Sequence, residues 1–156
     1  MKRLLLALLF AAGAAQAQVP VTANPDHDSM LRHSDPKLAA NKRLVYDMYR
    51  IVLQGGHWDR AHEFIAEGYI QHNPRVPTGR QAFIDFFSKV RKPAPIEPRV
   101  KAPLVAILAD GDLVSMFFVR EYPEPGDASK KYTTTWFDMF RIVDGKIAEH
   151  WDPATK

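Results

Sequence analysis

Cysteine is absent from all 156 residues, which excludes disulfides and thiolate chemistry and leaves stability to the core. A large excess of one sign of charge is missing too. The 21 Lys and Arg nearly balance the 18 Asp and Glu, for a formal net charge of +3. Both signs are scattered, whereas nucleic-acid binding asks for basic residues clustered on one face with interleaved aromatics, so that class is set aside. Long apolar runs are missing except for Leu4 to Ala15, and those twelve residues fall short of the ~20 that cross a bilayer. No repeat and no shift of composition marks a second domain.

What stands around that run is a secretory signal: Lys2-Arg3 before it and "AQA" at 15 to 17 after it, with cleavage expected after Ala17. A membrane anchor is the rival reading, and the length of the run disfavours it. The expected location is the periplasm or the exterior of a bacterial cell, with no membrane attachment after cleavage. Loss of Lys2 and Arg3 lowers the net charge from +3 to +1, so part of the basic pI belongs to the signal. The remaining 139 of 156 residues fit one domain able to bury ~two thirds of the surface its unfolded chain exposes.

Residues 18–34 mix Pro, Asp and His without periodicity and are expected to form a flexible leader. From residue 35 the helical period begins. Asp35 caps and Pro36 takes the first position. Leu38, Val45, Met48 and Val52 then recur along one stripe until Gly55-Gly56. "HWDRAHEFIAE" carries Trp58, Ala61, Phe64 and Ile65 on one face as a second, shorter helix ending at Gly68. "YIQHNP" follows as an extended piece. Thr78 and Gln81 have capping-box spacing ahead of a third helix that runs to about Lys92, with Phe83, Phe86, Phe87 and Val90 inward.

Beyond Pro93 the pattern is that of a meander: about Arg99 to Ala109, Leu113 to Tyr122, Lys131 to Val143 and Lys146 to Asp152, with "DG" turns at 110-111 and 144-145. Helices first and an antiparallel sheet last make an α+β domain. A two-residue turn at Asp144-Gly145 pairs Val143 with Lys146 and sets Asp138 across from Trp151. Their face also carries Trp136, Phe140, Ile142, Ile147 and Glu149, while His150 and Asp152 fall on the other. Both faces are largely apolar and both need a cover. The helices supply one, and a second copy of the chain is expected to supply the other over Phe137, Met139, Val143 and Ala148.

With its three helices, "YIQHNP", "FDMFR" and "GKIAEHWD", the stretch from Asp35 to Asp152 resembles the nuclear transport factor 2-like superfamily, and within it the SnoaL-like branch of polyketide cyclases. The resemblance implies a cone: helices packed on a curved antiparallel sheet around a pocket, commonly as dimers through the outer sheet face. It implies a strand aspartate as acid/base, which here is Asp138. It places Asn73 where the related ketosteroid isomerases carry their catalytic base. An amide takes no proton from carbon but holds a carbonyl or hydroxyl.

Asp138 among Trp136, Phe140 and Trp151 loses hydration and is expected to hold a proton it can give away. The bland alternative is a structural ion pair with Arg141 or Arg120. His72 is the candidate assisting base, although strand alternation opposes His72 and Asn73 pointing inward together. Tyr69 and His150 join Trp136, Phe140 and Trp151 as candidate substrate contacts. For His150 that requires a bulge, the alternative being a place at the dimer interface. Relatives with aldol-type chemistry tend to carry a histidine where this chain reads "GDLVSMFFV", and Met116 to Phe118 offer no base. No His-x-His or His-x-x-x-His spacing suggests a metal, and no cofactor is expected. Two functions follow from the residues: proton transfer next to a carbonyl on a small organic substrate, or a module that binds a small apolar ligand without chemistry.

Overall fold

The computed structural model describes residues 18–156, and the signal assigned to residues 1–17 lies outside them. Element order is α1 (His27–Leu31), α2 (Pro36–Asp47) continuing as a π-helical stretch (Met48–Gln54), a 3₁₀ turn (Trp58–Arg60), α3 (Ala61–Phe64), β1 (Ile65–Gln71), α4 (Arg80–Phe87), β2 (Leu104–Asp110), β3 (Leu113–Glu124), β4 (Asp127–Val143) and β5 (Lys146–Trp151). The five strands form one sheet in the order β1-β5-β4-β3-β2. Only β1 runs parallel to its neighbour, so the sheet is mixed at one edge rather than antiparallel throughout.

Val45 of α2 and Met48 and Val52 of its π-helical continuation are buried with Val114, Met116, Phe118, Phe140 and Ile147 of the inner sheet face. Burial of each such side chain is worth about 1.5–3 kcal/mol. Asp35 caps α2 by accepting from the Lys37 and Leu38 amides. Gly56 then turns the chain at φ +70°, where a Cβ would lie 2.7 Å from the Lys92 carbonyl oxygen. That close approach lets the segment after α4 dock, with the Ala94 amide donating to the Gly55 carbonyl at 2.9 Å.

Several sequence expectations change. The second helix ends at Phe64 because Ile65 already pairs with Ile147 of β5. The third stops at Phe87, leaving Phe86 partly exposed and Val90 79% exposed. Thr78 does not cap it: its hydroxyl accepts from the Gln71 amide, and Gly79 stands at the cap. The strand expected from Arg99 starts only at Leu104, and Asp110 pairs with Leu113, which moves the turn to Gly111-Asp112.

The leader is not loose. The Val21 amide donates to Thr133 Oγ1 at 2.7 Å and the Asn24 amide to the Leu104 carbonyl at 2.8 Å. Helix α1 buries His27, Met30 and Leu31, and the Lys42 ammonium donates to the Met30 and Arg32 carbonyls at its end. The Val100 amide donates to Tyr46 Oη, which lies 2.8 Å from His27 Nδ1. Burial of His27, with Arg99 nearby, lowers its pKa below the 6.5 of an exposed imidazole. A depressed histidine pKa means that the unfolded chain takes up the proton first, so this contribution is present above pH 6.5 and is lost as pH falls below it. The melting temperature is expected to fall between pH 7 and pH 5, and to fall less in His27→Asn. Equal slopes in a calorimetric pH series would contradict this.

Candidate active site

Between the helices and the inner sheet face lies a cavity of about 160 Å³. Its apolar wall includes Met48, Leu53, Ile65, Phe83, Phe87, Phe140 and Ile147. Its polar side is supplied by Tyr49, Tyr69, Gln71, Asn73, Asp138, His150 and Asp152. Tyr69, Gln71 and Asn73 reach it because alternate residues of an extended chain share a face.

The β4–β5 hairpin brings His150 in. Val143 pairs with Lys146 across the Asp144-Gly145 turn, where Asp144 at φ 49° and Gly145 at φ 70° fit a tight hairpin. Ile142 pairs with Ile147, but Arg141 pairs with Glu149, which makes Ala148 an extra, bulged residue. A regular ladder would aim the Glu149 carboxylate into the core, where an unpaired charge is costly. The bulge instead sets Glu149 outside against Arg141 (3.0 Å) and turns His150 inward opposite Phe140.

Asp138 is 6% exposed and His150 7%. Neither Arg141 nor Arg120 partners Asp138: Arg141 pairs with Asp112 and Glu149, and Arg120 lies over the Trp136 ring. His150 Nε2 is 3.1 Å from Asp138 Oδ1 instead. Trp136 Nε1 donates to the same oxygen at 3.3 Å, and the Tyr49 hydroxyl donates to Oδ2.

The protons can be counted. Gln71 Oε1 accepts from the Asn73 backbone amide (2.9 Å), which fixes it as the amide oxygen. His150 Nδ1, 2.7 Å from that oxygen, must carry hydrogen. The contact between Nε2 and Asp138 then holds one shared proton, as carboxyl with imidazole or as carboxylate with imidazolium.

Above the pair, Asn73 Nδ2 donates to Asp152 Oδ2 at 2.7 Å, and the Arg75 amide binds Asn73 Oδ1. Gln71 Nε2 donates to Tyr69 Oη, and among the described residues no acceptor takes the Tyr69 hydroxyl hydrogen. Burial, then Asp138 and Asp152, raises the Tyr69 pKa; burial and Asp138 raise that of Tyr49. Both phenols stay protonated donors.

Of the residues singled out in the sequence, Asp138, Asn73, Tyr69, Phe140 and His150 meet at this cavity, and Trp136 touches it through Asp138. His72 and Trp151 do not. His72 points outward, bound to Glu149 at 2.7 Å and stacked on Trp151 at 5.1 Å. Trp151, opposite Met139, shares that outer face. The assisting-base role of His72 and the pocket role of Trp151 are therefore corrected. Tyr49, Gln71 and Asp152 were missed. Val45-Tyr49-Leu53 helical spacing and Tyr69-Gln71-Asn73 alternation signal the first two; Asp152 depended on the bulge.

Among the described residues, Asp138, His150 and Asp152 are also grouped as a metal site would be, with ligand atoms within 4.8 Å of one another. An ion ~2.1 Å from each ligand wants closer spacing, and the hydrogen bonds above already engage all three. The arrangement fits proton transfer better than ligation.

A family model described as the SnoaL-like domain matches residues 45–150. No curated protein matches the chain. Solved structures share the fold. One is described as a SnoaL-like polyketide cyclase from Jannaschia sp. CCS1: 15% identity, 78% of this chain and 91% of that one covered, TM-score 0.53. Another is described as a polyketide cyclase from Acidithiobacillus ferrooxidans: 18% identity, 72% and 86% covered, TM-score 0.51. An LEH-like epoxide hydrolase from M. tuberculosis has 16% identity, 75% and 84% coverage and a TM-score of 0.52.

Proposed function

The chain belongs to the SnoaL-like family, and we propose that it catalyses proton transfer at a carbon next to a carbonyl in a small, largely apolar substrate. The observation that carries this reading is the buried Asp138–His150 pair, 3.1 Å apart on the polar side of a cavity whose opposite wall is apolar. Asp138 takes the proton from carbon and returns it, while His150 balances the charge. Tyr69 and Asn73 are placed to donate to the carbonyl oxygen as it gains charge. Asp152 is a positioning residue that acts through Asn73. The epoxide-hydrolase and cyclase neighbours support a catalytic use of the fold and name no substrate for this chain.

The test needs no known substrate. In D₂O, small cyclic ketones should exchange their α-hydrogens faster with the protein than without it, as read by proton NMR, and Asp138→Asn should abolish the difference. No exchange with any ketone would favour the second reading, a pocket that only binds, which the base-free inner face of β3 (Val114, Met116, Phe118) supports.

We also propose a homodimer through the outer sheet face. Phe137, Val143 and Leu108 are 36%, 46% and 59% exposed there, and Phe117 packs beside Phe137. Light scattering at micromolar concentration should give twice the chain mass, falling to one in Phe137→Glu; a monomer for the unaltered chain would refute this.

A further inference from the structure

The cavity is small for the task proposed. A space of about 160 Å³ holds little more than one six-membered ring, whereas ligand sites usually run to ~300–1,000 Å³. It does not stand alone. Tyr49, Leu53 and Phe87 line it and also line a larger groove of about 670 Å³. Beyond those three side chains the groove is walled by Gln54, Val90 and Ala102, and by three cations, Arg91, Lys101 and Arg120. Among the described residues no carboxylate lines it.

The cations differ in how far they are committed. Lys101 is paired with Glu97. Arg91 donates to the Gln54 carbonyl, which fixes its guanidinium at the groove wall. Arg120 lies 5.2 Å above the Trp136 ring, and among the described residues no carboxylate pairs with it. The inner cavity is the opposite case, since the Asp138–His150 pair is neutral overall and Asp152 adds a negative charge. An anionic group is therefore repelled from the cavity and attracted to the groove.

Resting on the proton-transfer reading, we infer that the substrate is an amphipathic acid. Its ring or short apolar body, with the reacting carbonyl, occupies the inner cavity, and a short chain passes Tyr49, Leu53 and Phe87 to place an anionic group among Arg120, Arg91 and Lys101. The charge gradient sets which end enters first. A neutral substrate of the same shape has no such preference.

The probes are 4-phenylbutanoate and 4-phenylbutanamide, which share shape and differ in charge. Titrated against the ¹⁵N-labelled protein, the acid should bind about 10-fold more tightly than the amide, from two or three partly exposed ion pairs. That ratio should shrink in 0.5 M NaCl. Arg120→Gln should cut it about 3-fold without changing amide binding. Equal binding of acid and amide, both shifting Tyr69 and Asn73 resonances, would overturn the groove assignment and leave the proton-transfer reading intact. If neither compound shifts those resonances, the inference falls, and ketone exchange alone decides the proton-transfer reading. Loss of ketone exchange in the Arg120→Gln protein would show that Arg120 serves the chemistry rather than recognition, and would also overturn the inference.

Discussion

Asp138→Asn should lower α-proton exchange by ~100-fold or more while leaving the fold nearly as stable as before. The rate loss follows because an amide neither takes nor gives a proton at neutral pH, and general acid–base catalysis contributes roughly 10²–10⁴-fold. The small stability effect follows from the hydrogen-bond inventory. The amide oxygen still accepts from the Tyr49 hydroxyl. The amide NH₂ can donate to His150 Nε2 once that ring is neutral, with its Nδ1 hydrogen still on Gln71. Only Trp136 Nε1 loses its weak 3.3 Å bond. A melting temperature within a few degrees of the unaltered protein, with exchange at background, is the expected pair of results. Exchange at more than a tenth of the original rate would remove Asp138 from the chemistry.

The parts of this site that the sequence makes legible are those set by local periodicity. Val45, Met48 and Val52 share a stripe whatever the rest of the chain does, and Tyr69, Gln71 and Asn73 share a face because a strand alternates. The family resemblance, carried by "YIQHNP", "FDMFR" and "GKIAEHWD", adds the expectation of a pocket and of an acid/base role for Asp138. What the sequence hides is register. One residue of slip exchanges the faces of a strand, and the bulge at Ala148 supplies that slip, so His150 and Trp151 trade places. The reason lies partly in Glu149, whose charge is better placed beside Arg141 and His72 than in the core. The same slip carries Asp152 to the cavity. The α1 segment was illegible for another reason: five residues are too few to show a period, and their burial depends on Tyr46 and Val100, far away in sequence.

His150→Leu should destabilise the fold by about 3–5 kcal/mol, since it leaves the Asp138 carboxylate buried at 6% exposure without a counter-ion. For a domain of this size that is a drop of roughly 10 °C or more in melting temperature. Volume is not the cause, because leucine and histidine are close in size. Charge is, and the double variant separates the two. Adding Asp138→Asn to His150→Leu removes the stranded charge, so the double variant should recover about 2 kcal/mol relative to His150→Leu alone, even though it carries one more substitution. Additive losses in chemical denaturation would mean that Asp138 and His150 are not coupled. The shared proton, and with it the catalytic use of the pair, would then have to be given up.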